Sequence, residues 1–234
     1  MIQANEISSL ERPSPEEWLL VREYTHRVNN EFTSAISAIS VAATRSASGE
    51  VKAALAAVID RLENYVRADR ALRMPEQATS IDAASYLRQL CLAISRSKLD
   101  FNNIKLVLVE RPLVINSERC WRLGMIVSEL IANAARHAFR ERGGTITVEL
   151  LSTMSFVECR ITDDGTAATN IRPGHGFQIV RALTQGLNGK IRQHFGPEGS
   201  TSVLSFPYAA QQIERSYVVQ SPPTMVMIEG EVAI

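Results

Sequence analysis

The sequence predicts an α+β fold in two parts: an N-terminal antiparallel helical hairpin, then a two-layer α/β sandwich. Three observations carry this. Between residues 18 and 72 apolar side chains keep three- and four-residue spacing with one break at Ser48-Gly49, which reads as two long helices and a turn. Beyond Thr79 the period shortens to strand-like runs, 104–109 and 145–151 among them, grouped with helices in a way that fits an α+β and not a doubly wound domain. Within that part lies Ser128-Glu129-Leu130-Ile131-Ala132-Asn133-Ala134-Ala135-Arg136-His137, an apolar helix interrupted by polar groups at helical spacing.

Taken in order, residues 1–13 read as a loose N-terminus and 14–75 as the hairpin. Pro13-Ser14-Pro15 marks the start, with Ser14 as N-cap and Pro15 in the first helical position. Val28, Phe32, Ala35 and Ile39 continue the stripe of the first helix, and Val51, Leu55, Val58 and Leu62 that of the second. A hairpin cannot cover both stripes alone, so a symmetric homodimer closing a four-helix bundle is expected.

Residues 80–207 read as the sandwich. Ser80 is expected to cap a helix to about Arg96, and Ser117 to cap the helix that bears the polar strip. Strands are expected at 104–109, 113–115, 145–151, 156–162, 190–195 and 202–206, with a helix at 177–185. Residues 208–234 form a tail in which 217–219 and 225–228 are strand-like, separated by Pro222-Pro223, and a hairpin, a partner-binding strand and disorder all fit it.

Composition narrows the function. Twenty-five basic residues balance 25 acidic ones, which gives no steering toward nucleic acid or an anionic membrane, so an anionic ligand must be bound locally. Cys91, Cys120 and Cys159 are odd in number, far apart and set in apolar patterns, as expected of reduced thiols in the cytoplasm. No stretch approaches the ~18 apolar residues that cross a bilayer.

Four segments carry chemistry. On a helix, Glu129, Asn133, Arg136 and His137 share one strip, offering metal, phosphate and proton-transfer contacts together; a polar strip by itself is more often a solvated face. Asp163-Asp164-Gly165-Thr166-Ala167 ends a strand, where acidic residues and glycine commonly make only a turn. Gly174-His175-Gly176 opens a helix, where free amides and the dipole suit phosphate. Gly196-Pro197-Glu198-Gly199-Ser200-Thr201 precedes the last core strand. Upstream, His26 sits one position off the apolar stripe in Tyr24-Thr25-His26-Arg27-Val28-Asn29-Asn30, so its ring should project from the side of a bundle.

In this order the four segments resemble the N, G1, G2 and final Gly/Thr boxes of the histidine kinase and Hsp90-type ATPase fold. The segment around His26 resembles the His-Arg-x-x-Asn phosphoacceptor box of one sensor histidine kinase subgroup, matched by His26, Arg27 and Asn30. The resemblance covers roughly residues 15–207. It implies ATP and Mg²⁺ as cofactors, with Glu129 near the γ-phosphate, Asn133 as metal ligand, and Arg136 and His137 on phosphates. It further implies that Asp163 accepts the adenine amino group, Gly165 lets the base approach, Gly174 and Gly176 wrap the phosphates, and Thr201 supports the adenine end. His26 would be phosphorylated, aided by Arg27 and Asn30, and the group passed to a response-regulator receiver domain.

The sequence departs from the family at two places. Ala167 stands where a second G1 glycine is usual, and the lid segment 168–173 is short. With no sensory segment ahead of residue 13, input would come from an upstream sensor in trans. Three functions therefore stand side by side: a cytoplasmic ATP-dependent histidine kinase, a phosphorelay carrier with a degenerate ATP-binding fold, and a docking module without phosphoryl chemistry. The base that activates His26 is unassigned, since Arg27 cannot accept a proton.

Overall fold

The computed structural model describes residues 15–73, 79–139, 143–166, 175–208 and 223–228; the side chains of 15–22, 24–26 and 175 lie outside the described set. The chain divides into two compact units, 1–62 and 63–234. The first unit holds helix α1, Pro15–Arg45, and most of α2, Gly49–Ala71, and the two helices fit the expected hairpin. Pro15 takes the first helical position, where its missing N–H costs nothing. Phe32, Val41, Val51 and Val58 are exposed, leaving apolar positions on both helices open.

The second unit is an α+β sandwich. A two-stranded ribbon pairs β1, Ser80–Asp82, with β3, Val114–Asn116. The main sheet holds β2 (Ile104–Glu110), β4 (Gly144–Ser152), β5 (Phe156–Asp163), β6 (Lys190–Gly196), β7 (Gly199–Pro207) and β8 (Thr224–Ile228), in the order β6-β7-β5-β4-β2-β8. Pairings are antiparallel except β2 with β4, which run parallel because the connection between them carries α4, Ser117–His137. Helix α4 packs between α3, Ala83–Ile94, and α5, His175–Gly186. Alternate strand residues such as Leu106, Leu108, Ile146, Val148, Cys159 and Leu204 face these helices and meet Leu87, Leu123, Ile126 and Val180 in one core. Each such side chain contributes about 2 kcal/mol by leaving water.

Two caps differ from expectation. Ser80 is in a strand, and α3 is capped by Asp82, whose carboxylate accepts from the amides of Ala84 and Ser85. Likewise α4 is capped by Asn116, which accepts from Glu118 N at 2.9 Å. Ser117 is the first residue of the helix and not its cap, and its hydroxyl accepts the Thr79 amide at 3.1 Å. Within the tail, residues 224–228 pair antiparallel with β2, and Ile228 is buried. Ser95, in a π-helical turn after α3, reaches the carbonyl of Ile228 at 3.4 Å. Residues 217–219 lie outside the described residues. Among the described residues no helix is long and apolar enough to cross a membrane.

All three cysteines are buried free thiols. Burial pushes Cys91 and Cys120 up to about 12, and Cys159 also upward.

Candidate functional site

One end of the sheet gathers the C-terminal half of α4, the end of β5, the start of α5 and the start of β7. The polar strip forms as expected. Helix α4 runs unbroken through residue 137, so Glu129 and Asn133 stand one turn apart and Arg136 and His137 follow at the next. Leu130, Ile131 and Ala134 are buried on its other side. Glu129 and Asn133 are half-buried, while Arg136 and His137 are exposed.

Glu129 meets the G2 segment. A Cβ built on Gly176 would collide with Glu129 Oε1 and lie 2.7 Å from its Cδ. The first turn of α5 and the carboxylate of α4 therefore share one space, open only because residue 176 has no side chain. Gly174 lies outside the described residues, as do Ala167 and the segment 168–173.

Asp163 closes β5 and is buried at 4% exposure. Its Oδ1 accepts from the amides of Gly165 and Ser200, each at 3.2 Å, and its Oδ2 accepts from the Ser200 hydroxyl. An ionised carboxylate has about four acceptor positions; three are used, which leaves one for a further donor such as an exocyclic amine. The hydroxyl that meets Asp163 belongs to Ser200, one residue before Thr201. The register explains this, since Asp163 lies opposite Ser200 while Thr201 lies opposite Thr162. That register joins residues 37 apart in sequence, and no local signal announces it.

Gly165 lies against the end of α4. A Cβ there would lie 2.5 Å from both Cβ and O of Ala138, so the glycine admits the end of α4 on that side. Thr166 N donates to Ala138 O at 3.0 Å, fastening the same loop. Asp164, also unremarked in the sequence, accepts from Thr145 N at 2.7 Å while its own amide donates to Thr145 O at 3.2 Å. The loop that presents Asp163 is thus held from β4, β7 and α4 together.

The segment around His26 lies in the first unit. His26 is within α1, and its side chain is outside the described set. Arg27 is exposed and pairs with Glu23 at 2.9 Å one turn back, and Asn30 is exposed. Among the described residues no group of three or more His, Cys, Asp or Glu is placed to hold a metal ion.

Comparison with known proteins agrees in order and extent. Residues 23–98 match a family model described as histidine kinase, and 105–201 match one described as histidine kinase-like ATPase domain. Sensor histidine kinase PdtaS of Mycolicibacterium smegmatis is 27% identical over 196 residues, covering 79% of this chain and 38% of the relative. Blue-light-activated histidine kinase 2 of Erythrobacter litoralis is 28% identical over 202 residues, covering 81% of this chain and 57% of the relative. The chain therefore spans well under two thirds of these relatives. Among solved structures, the histidine kinase domain of the Erythrobacter litoralis EL346 blue-light activated kinase superposes with a TM-score of 0.54 at 21% identity, covering 75% of this chain and 95% of that one. With both models matched in succession along most of its length, the chain belongs to the histidine kinase family.

Proposed function

We propose that the chain is an ATP-dependent protein-histidine kinase of two-component signalling, acting in the cytoplasm as a homodimer. It would phosphorylate His26 and pass the group to an aspartate of a response-regulator receiver domain. One observation supports this most: a buried carboxylate, Asp163, held by three hydrogen bonds with an acceptor position to spare. A carboxylate so fixed selects a base bearing an amino group, because any other base leaves it unmatched.

Each residue would have a part in holding the nucleotide and its metal. Asp163 would read the base, and Gly176, in the first turn of α5, would bring its backbone amide to the phosphates, with Gly174, two positions earlier in sequence, serving the same end. Asn133 would hold Mg²⁺, which when bound neutralises charge on the transferring phosphoryl group. Glu129 would order the surroundings of the γ-phosphate, and Arg136 and His137 would add positive or hydrogen-bonding groups. Thr201 would line the adenine end beside Ser200. At His26 a neutral imidazole nitrogen attacks the γ-phosphorus, the bond to the ADP oxygen breaks, and ADP leaves. Arg27 would balance the charge that moves, and Asn30 would support the imidazole. The exposed Phe32, Val41, Val51 and Val58 favour a second hairpin as cover. Residues 14–75 would form that dimerising hairpin and 80–207 the ATP-binding domain.

The test is incubation with γ-labelled ATP and Mg²⁺. Acid-labile label that disappears in His26→Ala supports the kinase, and absence of both label and stabilisation by ADP rejects it. Ala167, in place of a glycine, favours a second reading, a carrier that takes phosphate from one receiver domain and gives it to another. In that case a phosphorylated receiver labels His26 while ATP does not.

A further inference from the structure

The end of α2 is held in an unusual way. A helix leaves its last four carbonyls without intrahelical partners, and here each has one. Leu72 N donates to the carbonyls of Ala68 and Asp69, both at 3.1 Å, and Arg73 N to that of Arg70 at 3.2 Å. The carbonyl of Ala71 accepts from Tyr86 Oη at 2.8 Å, and that of Leu72 from Trp121 Nε1 at 2.7 Å. Two aromatic donors, one on α3 and one on α4, thus complete a helix distant from both in sequence.

The surroundings are built for the pair. A Cβ on Gly124 would lie 2.6 Å from Tyr86 Cε1 and 2.8 Å from Cζ, so the tyrosine ring lies directly on the α4 backbone. Ala71, Leu72 and Tyr86 pack against the core of the second unit, and Val66 and Ala68 are buried. Burial raises the Tyr86 hydroxyl pKa, with Cys120 adding to the effect, so the group remains a donor throughout the physiological range.

We propose that Tyr86 and Trp121 are positioning residues that clasp the end of α2, so that this helix packs with the second compact unit from near Glu63 onward. The division of the chain between residues 62 and 63 has the same sense. The clasp holds residues 71 and 72 from α3 and from α4, and α4 also carries Glu129 and Asn133 about two and three turns beyond Trp121. Loosening it would free the connection without touching the nucleotide residues.

The experiment compares the full-length chain with Tyr86→Phe, Trp121→Phe and the double variant, using limited trypsin cleavage after Arg67, Arg70 and Arg73. The double variant should be cut there roughly tenfold faster, since each lost bond favours local opening. Its stabilisation by ADP should match the wild type, with the melting temperature lowered by only a few degrees. Cleavage at the wild-type rate overturns the clasp, and so does a parallel loss of ADP stabilisation, which would make the residues part of the pocket. Tyr86→Phe keeps the ring and decides the matter if Trp121→Phe does not fold. Resting on the kinase reading, a further arm expects the labelling rate at saturating ATP to fall severalfold with the half-saturating concentration unchanged. Normal labelling despite faster cleavage would deny the clasp any part in transfer. A wild-type chain that takes no label would instead sink the kinase reading and leave the clasp to the cleavage result.

Discussion

The carboxylate of Glu129 fills the space that a side chain on residue 176 would need, with Glu129 Cδ 2.7 Å from where a Cβ would sit. This joins two motifs 47 positions apart, one on α4 and one on α5. Gly176→Ala must displace Glu129 or the first turn of α5. The local helix loses nothing, since alanine is the better helix former. The expected result is a labelling rate lowered roughly 10- to 100-fold with the melting temperature nearly unchanged. An unaltered rate would show that the position of Glu129 is immaterial.

Ser200 holds one oxygen of the buried Asp163 carboxylate. Ser200→Ala leaves that oxygen without its donor and should cost about 1–2 kcal/mol of stability, together with a smaller rise in melting temperature on adding ADP. Ser200→Thr keeps the hydroxyl and should behave as wild type. A reduced ADP effect in the threonine variant as well would argue that size, not hydrogen bonding, matters there.

Asp82 sets an acid limit on the fold. Burial alone would raise its carboxyl, but the Ser85 hydroxyl and the amides of Leu113, Ser85 and Ala84 outweigh it and hold the pKa below the ordinary 3.8. A lowered folded-state pKa means the bonds stabilise the fold above the unfolded value and lose that effect as pH falls through the folded one. Thermal melts of wild type and Asp82→Asn should differ most near pH 7, and the gap should close below pH ~4. A gap independent of pH would exclude the carboxylate as its source.

Ile228 anchors β8 with 5% of its surface exposed, its backbone paired opposite Leu106. Ile228→Ala should lower stability in urea denaturation by about 2 kcal/mol, the low end for a buried isoleucine because the strand is at an edge. Loss of less than a few tenths would mean that β8 pairs without contributing to the core.

What the sequence conveyed was periodic and local. The stripe of α4 and the polar strip from Glu129 to His137 follow from one helical period, and both are present. The alternation in β4 and β5 likewise has its buried residues on one face. Contacts fixed by tertiary partners were hidden. Ser117 reads as a cap, whereas it is the first residue of the helix and its hydroxyl accepts from Thr79, and Ser200 and Thr201 are indistinguishable until the register against β5 chooses between them. Gly165 also meets Ala138, a contact with the end of α4 that no local signal announces. The short run 224–228, isolated by Pro222-Pro223, acquires a role only through β2.

The three sequestered sulfurs have a practical consequence. Thiolate is the reactive form toward alkylating reagents, and burial keeps Cys91, Cys120 and Cys159 protonated and covered. Cys91 is on α3, Cys120 on α4 and Cys159 on β5, so both layers of the sandwich carry a silent tag. Mass spectrometry after a timed pulse of iodoacetamide would thus read out, element by element, whether helices and sheet come apart together or in sequence.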